Sequence, residues 1–306
     1  MSQPQRALVT GLGGFTGQYV AEALHREGYE VLGTGLHAPA AGGAQPAWRH
    51  FELDLLDSDA VNRVVRETQP DVVIHLAGVS FVGASDAAAF YRVHVIGTRH
   101  LLAALAEMPR VPRCVLLASS ANVYGNAGSV PLREDAAPRP ANDYAVSKLA
   151  MEQMAQLWTD RLPIVIVRPF NYTGVGQPSW FLLPKIVDHF RRRETAIELG
   201  NLDVARDFSD VRSVAAAYLR LVQCCPAGKT FNICSGKAHR LEQILGMMEE
   251  IAGYRIDVRV HPDFVRSSDV KLLVGNRARL DAAIGPTEWI PLRETLAWML
   301  QTDTPR

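Results

Sequence analysis

Three glycines limit what this chain can fold into more than any other feature. Gly11, Gly14 and Gly17 follow the apolar triplet Ala7-Leu8-Val9 and head an amphipathic stretch from Gly17 to Glu27. Val20 and Leu24 are one turn apart in that stretch, which reads as a helix, and the triplet reads as a strand buried on both faces. Glycines at such a junction let backbone N–H groups and the helix N-terminus approach a pyrophosphate closely. Alone, glycines also make tight turns. Their place between a first strand and a first helix turns them into a nucleotide-binding signal.

The same rhythm continues. Glu30-Val31-Leu32, Val72-Val73-Ile74, Cys114-Val115-Leu116-Leu117 and Ile164-Val165-Ile166-Val167 are short apolar runs separated by longer helical patterns. Strand–helix alternation implies right-handed crossovers, hence an α/β fold with a Rossmann-type doubly wound parallel sheet. After Arg168-Pro169 the pattern breaks at Pro169, Gly174, Gly176, Pro178 and Pro184, which suits a substrate-facing segment. Thr230-Phe231-Asn232-Ile233 reads as a late strand returning to the sheet. A helix is expected from about His239 to Ala252, with Leu241, Ile244, Leu245, Met248 and Ile251 as its core stripe. Ala38 to Ala47 reads as a flexible loop. The expected division is a dinucleotide-binding domain of residues 1–169 with 207–233, and a smaller C-terminal substrate-binding lobe of 170–206 with 234–306.

Charge narrows the partners. The 306 residues carry 32 basic and 32 acidic side chains, so no basic excess is available for nucleic acid. No apolar run reaches the roughly 18 residues that span a bilayer, and Arg6 is followed by too short an apolar run for a signal sequence. Cys114, Cys224, Cys225 and Cys234 lack metal-ligand spacing, so no metal site and reduced thiols are expected. The economical expectation is a cytoplasmic protein without a membrane partner.

In dinucleotide-binding folds the second strand normally ends in an acid that holds the adenosine 2′-hydroxyl of NAD. No acid occurs here from Val31 through Phe51. Nothing near Gly35 to His37 repels a 2′-phosphate, and His37 or Arg49 stands ready to contact one. NADPH/NADP is therefore favoured, with NAD possible.

Tyr144 and Lys148 are four residues apart and share one face of a helix. A phenol of pKa about 10 needs a neighbouring positive charge to act as an acid–base group, and Lys148 can supply one. Ser119-Ser120 lies upstream, after a buried strand, at the carboxyl edge where sites form in such sheets.

Together with His75-Leu76-Ala77-Gly78 and Arg168-Pro169-Phe170-Asn171, these residues resemble the extended short-chain dehydrogenase/reductase family. The likeness runs to the C-terminus. The stretch from Leu199 to Phe208, Asn232-Ile233-Cys234-Ser235-Gly236 and Arg266-Ser267-Ser268-Asp269-Val270 are similar to the GDP-mannose 4,6-dehydratase group, and above all to its GDP-6-deoxy-4-keto-mannose reductases. The resemblance implies catalytic roles for Ser120, Tyr144 and Lys148. It implies cofactor contacts from Gly11, Gly14, Phe15, Thr16, Gly17, His37, Asp54, Leu55, Leu76, Ala77, Gly78, Tyr144 and Lys148. Substrate contacts would come from Ser120, Asn122, Asn171, Lys185, Arg206, Arg266 and Asp269, the last five around the GDP moiety. A homodimer built on the Tyr/Lys helix is implied in the same way.

Departures from the pattern refine this. Dehydratases of the group carry a glutamate soon after the catalytic hydroxyl to remove the C5 proton; here Asn122 follows Ala121. An amide is no base near neutral pH. GDP-fucose synthases place a cysteine where Ala121 stands. Hydride transfer at C4 is what remains: reduction of a GDP-4-keto-6-deoxy sugar to a GDP-rhamnose or GDP-6-deoxy-talose type product for surface polysaccharide. His94 occupies a position where relatives commonly have asparagine and reads as structural. Two alternatives stay open: a nucleotide-sugar 4-epimerase with tightly bound NAD, and a non-catalytic NADP-binding protein. Arg191-Arg192-Arg193 reads as a solvated helix end.

Overall fold

The computed structural model describes residues 4–37, 48–79, 86–126, 131–264 and 271–302. Its main layer is formed by β1 (Arg6–Thr10), β2 (Glu30–Gly35), β3 (Arg49–Glu52), β4 (Val72–His75), β5 (Cys114–Ala118), β6 (Ile164–Pro169) and β10 (Thr230–Ile233). These seven strands lie in the order β10-β6-β5-β4-β1-β2-β3, and all are parallel. The order reverses between β1 and β4. At such a switch point the loops leave in opposite directions and open a crevice at the carboxyl ends of the strands.

Helices cover both faces, as the buried strands require. On one face α1 (Phe15–Arg26) packs with α7 (Val211–Cys224) and α9 (Ala278–Ile284), joining Val20, Leu24, Val214, Tyr218, Leu221 and Leu280 in one core. Gly17, Val20, Ala21 and Leu24 are the buried positions of α1, the spacing of a single helix stripe. On the other face lie α2 (Ser58–Thr68), α4 (Thr98–Ala106) and α5 (Asp143–Gln156). Val61, Val64, Leu101, Leu105, Met151 and Ala155 form their core against the sheet. Asp57 caps α2 by accepting from the Asp59 and Ala60 amides, and Gln69 ends it in a left-handed conformation.

A second layer follows in the chain. β7 (Asn171–Thr173) and β11 (Ala238–Arg240) pair with β9 (Ala205–Asp210), as does β13 (Leu272–Leu273), while β8 (Ala196–Leu199) pairs with β12 (Asp257–Val260). Around them α6 (Leu182–Arg191), α8 (Leu241–Ala252) and α10 (Leu292–Gln301) bury Leu183, Phe190, Ile244, Met248, Leu296 and Met299. The short α3 (Ala87–Tyr91) runs through a π-helical turn (Arg92–Gly97) into α4. No helix among the described residues is long and apolar enough to cross a membrane.

The five sequence-predicted strands are all present, and Thr230–Ile233 joins the sheet beside β6. Three details differ. β3 carries exposed Arg49 and Glu52 at an edge, so it has no apolar run to announce it. His239 belongs to β11, paired opposite Arg206, and α8 starts only at Leu241. Arg191 is not a solvated helix end, because its guanidinium donates to the Met299 carbonyl at 2.5 Å and ties α6 to α10.

A buried ion pair ties the end of β6 to the covering helix α5. Arg168 at the end of β6 donates to Glu152 of α5 twice, at 2.9 and 2.6 Å, and the two side chains are only 8% and 3% exposed. Arg168 also donates to the Tyr124 hydroxyl, which donates to Asn232 of β10. Charges taken this far from water are tolerated only when fully paired, and removing one partner strands the other. Glu152→Ala is therefore expected to cost about 3–5 kcal/mol in urea unfolding. A loss below about 1 kcal/mol would show the pair to be dispensable.

Candidate active site

The crevice begins at the glycine turn. Gly11 has φ +70°, and a Cβ there would lie 2.8 Å from the Ala77 backbone; one on Gly17 would lie 2.5 Å from the Gly11 and Leu12 carbonyls. Only glycine permits these approaches. Gly13 and Gly14 are exposed, nothing stands within 4 Å of a Cβ on Gly13, and α1 starts at Gly14 with no side-chain cap and no acid in its first turn. The result is an open helix N-terminus in front of a bare backbone, which fits the pyrophosphate of a dinucleotide.

The floor of this crevice is pinned by polar bonds that the sequence did not announce. Thr10 shares a hydrogen bond with His75 Nδ1 at 2.7 Å, and His75 Nε2 shares another with Thr98 at 2.8 Å. The Ala77 amide donates to Thr10 Oγ1 at 3.2 Å. Burial first, then the Lys148 charge, pushes the His75 imidazole down to about 3, so it acts as a neutral strut between β1, β4 and α4. Leu76, Ala77 and Gly78 are thereby held along the glycine turn. Asp54 is exposed, with its carboxylate on the Leu56 amide, and Leu55 is buried beside Gly97. Phe15 stacks on Tyr172 with ring centroids 6.0 Å apart, and Thr16 shares a 2.7 Å hydrogen bond with the Tyr172 hydroxyl.

Three successive residues leaving β5 meet three residues spaced one turn apart on α5. Ser120 lies against the Tyr144 phenol and favours its ionised form. The Ala118 carbonyl accepts from Lys148 Nζ at 2.8 Å. The Ser119 hydroxyl donates to Glu152 at 2.5 Å. Tyr144, Lys148 and Glu152 face one way because positions four apart share a helix face.

Electrostatics here differ from the sequence expectation. Lys148 spends a donor on Ala118 instead of pointing its charge only at Tyr144. Burial pushes the Tyr144 phenol up to about 12, with nearby Ser120 opposing that rise. Burial also pushes the Lys148 ammonium down to about 8, with Glu152 opposing that fall. The phenol is protonated at neutral pH and stands ready as a proton donor.

His94 is buried, as a structural residue would be. Its Nε2 accepts from the Val79 amide at 3.1 Å, so Nδ1 carries the proton given to Ser147 Oγ at 2.8 Å. Ser147 in turn donates to the Tyr144 carbonyl at 2.8 Å. The imidazole stands edge-to-face with the Tyr144 ring, centroids 5.5 Å apart. It braces the helix that carries the phenol.

Asn171 and Arg206 lie on the neighbouring strands β7 and β9, both half-buried, with Asn171 opposite Phe208 in register. Lys185 reaches from α6 to the Glu198 carbonyl at 2.7 Å and sits over the Phe264 ring at 4.3 Å. Asn122 comes two residues after Ser120, and its backbone N–H donates to Ser120 Oγ at 3.2 Å. His37 is exposed just beyond β2. Arg266 and Asp269 lie outside the described residues. Glu152 and Tyr172 are the site residues that sequence reasoning missed, and His75 entered it only within a motif, without a role of its own. Only Glu152, four residues past Lys148, left a legible trace.

Comparison with known proteins agrees with this geometry. The NAD dependent epimerase/dehydratase family matches residues 7–234. GDP-6-deoxy-D-talose 4-dehydrogenase of Aggregatibacter actinomycetemcomitans is 32% identical, over 92% of this chain and 91% of its own. GDP-6-deoxy-D-mannose reductase of Pseudomonas aeruginosa is 32% identical over 97% and 96%. Among solved structures, a Burkholderia cenocepacia J2315 protein provisionally named an epimerase is 52% identical, with a TM-score of 0.90 over 98% of both chains. RMD from Pseudomonas aeruginosa, complexed with NADPH, is 31% identical with a TM-score of 0.82 over 97% and 98%. The chain is a member of the NAD dependent epimerase/dehydratase family of extended short-chain dehydrogenases/reductases, and its cofactor is a nicotinamide dinucleotide.

Proposed function

We propose that the protein reduces the C4 ketone of a GDP-linked 4-keto-6-deoxy-mannose-type sugar with NADPH. The product is a GDP-6-deoxy sugar of the rhamnose or 6-deoxy-talose type, made for surface polysaccharide by a cytoplasmic homodimer. The observation that carries this reading is the meeting of Ser120, at the exit of β5, with the Tyr144 phenol of α5, followed two residues on by Asn122 where a dehydratase needs a base. The two curated relatives act on GDP-6-deoxy sugars, which supports the same substrate class.

A reduced nicotinamide, when bound, supplies hydride. Everything else is work for the chain. Tyr144, held protonated, gives its proton to the carbonyl oxygen as that oxygen gains charge. Ser120 orients the same oxygen, with the Asn122 backbone N–H donating to its Oγ. Lys148 keeps a positive charge beside the phenol and holds the cofactor ribose, while the bare glycine backbone holds the pyrophosphate. Asn171, Lys185 and Arg206, with Arg266 and Asp269, grip the GDP moiety, since guanidinium and ammonium groups suit a diphosphate. Residues 1–169 with 207–233 serve the cofactor, and 170–206 with 234–306 serve the nucleotide sugar.

Three outcomes are expected. Incubated with GDP-mannose and NADP alone, the protein forms no 4-keto sugar; with a separate dehydratase and NADPH added, NADPH is consumed and a 6-deoxy sugar reduced at C4 accumulates. Formation of the 4-keto sugar in the first mixture overturns the reading, and stoichiometric NAD released on denaturation favours a 4-epimerase. Tyr144→Phe loses at least ~100-fold in kcat while cofactor binding survives, as removal of a positioned acid requires; activity within a few-fold of wild type would take Tyr144 out of the mechanism. Because Lys148 loses its proton near pH 8, kcat/KM falls as pH rises through that value, although Tyr144 itself stays protonated. A flat profile from pH 7 to 10 would contradict the role given to the ammonium.

A further inference from the structure

His50 is the one residue, among the described residues, that leaves two buried side-chain nitrogens without a hydrogen-bond partner: neither Nδ1 nor Nε2 has one. Buried donors and acceptors are nearly always satisfied, because an orphan forfeits its bond to water and gains nothing back. An exception needs an explanation, and a missing ligand is one.

Its place in the sheet says which ligand. His50 lies on β3 opposite Gly33 of β2, and its ring extends along β2 toward the carboxyl end. A Cβ on Gly35, the last residue of β2, would lie 3.4 Å from His50 Cε1, 3.8 Å from Nε2 and 3.6 Å from the His37 carbonyl. The end of the second strand is where dinucleotide-binding folds read the adenosine 2′ position. The neighbouring Trp48, two residues before His50 and so on the same side of the strand, packs into the α1 core, whereas Phe51 packs into the core of the opposite face. His50 is therefore on the side of the sheet that carries the glycine turn.

The other cation nearby is already engaged elsewhere. Arg49 pairs with Glu67 of α2 and stacks its guanidinium over Phe51 at 4.6 Å, on the face away from α1. No carboxylate occurs from Val31 through Phe51, and Glu52, opposite Gly35 in register, is exposed to solvent. A half-turn of the imidazole about its ring bond exchanges Nε2 with the Cε1 that faces Gly35, so a ring nitrogen can be turned toward the strand end.

We propose that His50 reads the 2′-phosphate of a 2′-phosphorylated dinucleotide and so determines the preference for NADP(H) over NAD(H). This rests on the NADPH reading above and assigns it to a residue. Free of ligand, His50 carries an unsatisfied ring; with the phosphate in place, the ring gains a charge-assisted partner.

The test uses adenosine 2′,5′-bisphosphate and 5′-AMP as probes, measured by calorimetry on the full chain, with no sugar substrate required. The wild-type protein binds the bisphosphate at least ~10-fold more tightly, the size expected of a charge-assisted contact. His50→Phe and His50→Gln lose most of that preference and leave 5′-AMP binding unchanged. His50→Phe also keeps or raises the Tm, because it removes two orphaned nitrogens, so loss of binding through misfolding is separable. Equal affinity of the wild type for both probes overturns the NADP reading and the inference with it. A wild-type preference that survives in both His50 variants, or that is lost in Arg49→Ala instead, overturns the inference alone.

Discussion

A buried carboxylate sets the geometry on which the rest of this site depends. Glu152 holds Ser119 with one oxygen and Arg168 with both, and it sits one turn beyond Lys148 and two beyond Tyr144 on the same helix. Fixing Ser119 fixes its neighbours. Ala118 then meets Lys148 and Ser120 meets Tyr144, so the exit of β5 is indexed to α5 residue by residue. Burying two charges is costly, and the cost is offset only by complete pairing. What the arrangement supplies in return is register: a strand end and a helix that cannot slip past each other.

The network does not stop at the ion pair. Through Tyr124 and Asn232 it reaches β10, and the Asn232 amide donates to Glu134 at 2.9 Å, which Arg279 pairs with in turn. A second seam ties the cofactor helix to the later strands. Tyr172 meets Phe15 and Thr16, Tyr19 donates to the Val175 carbonyl at 2.7 Å, and Arg212 lies 3.8 Å over the Trp298 ring while paired with Asp210. The glycine turn and the segment that follows β6 thus share side chains, so a shift in one is felt by the other.

Much of this was legible in the sequence, for physical reasons. Strands buried on both faces are mostly apolar, so six of the seven main strands announced themselves, and glycines that touch backbone cannot be replaced. The edge strand β3 was silent because exposure of Arg49 and Glu52 removes the signal. Glu152 and Arg168 look like ordinary surface charges in one dimension; only the fold brings them together. The field of Lys148 was misjudged for a related reason, since the carbonyl that accepts its hydrogen bond belongs to a strand 30 residues upstream. His50 was overlooked beside His37 and Arg49 because strand register, not proximity in sequence, sets which side chain reaches the end of β2.

The central claim is that the β5 exit and α5 together present one proton donor and one orienting hydroxyl to a single sugar oxygen. A crystal structure of the ternary complex with NADP and the GDP-linked 6-deoxy sugar product measures this directly. The account predicts that the C4 oxygen lies within hydrogen-bonding distance of both Ser120 Oγ and Tyr144 Oη, with Lys148 still on the Ala118 carbonyl and the diphosphate beside Arg206. A C4 oxygen that contacts neither hydroxyl, or a nucleotide bound away from β7 and β9, would contradict it.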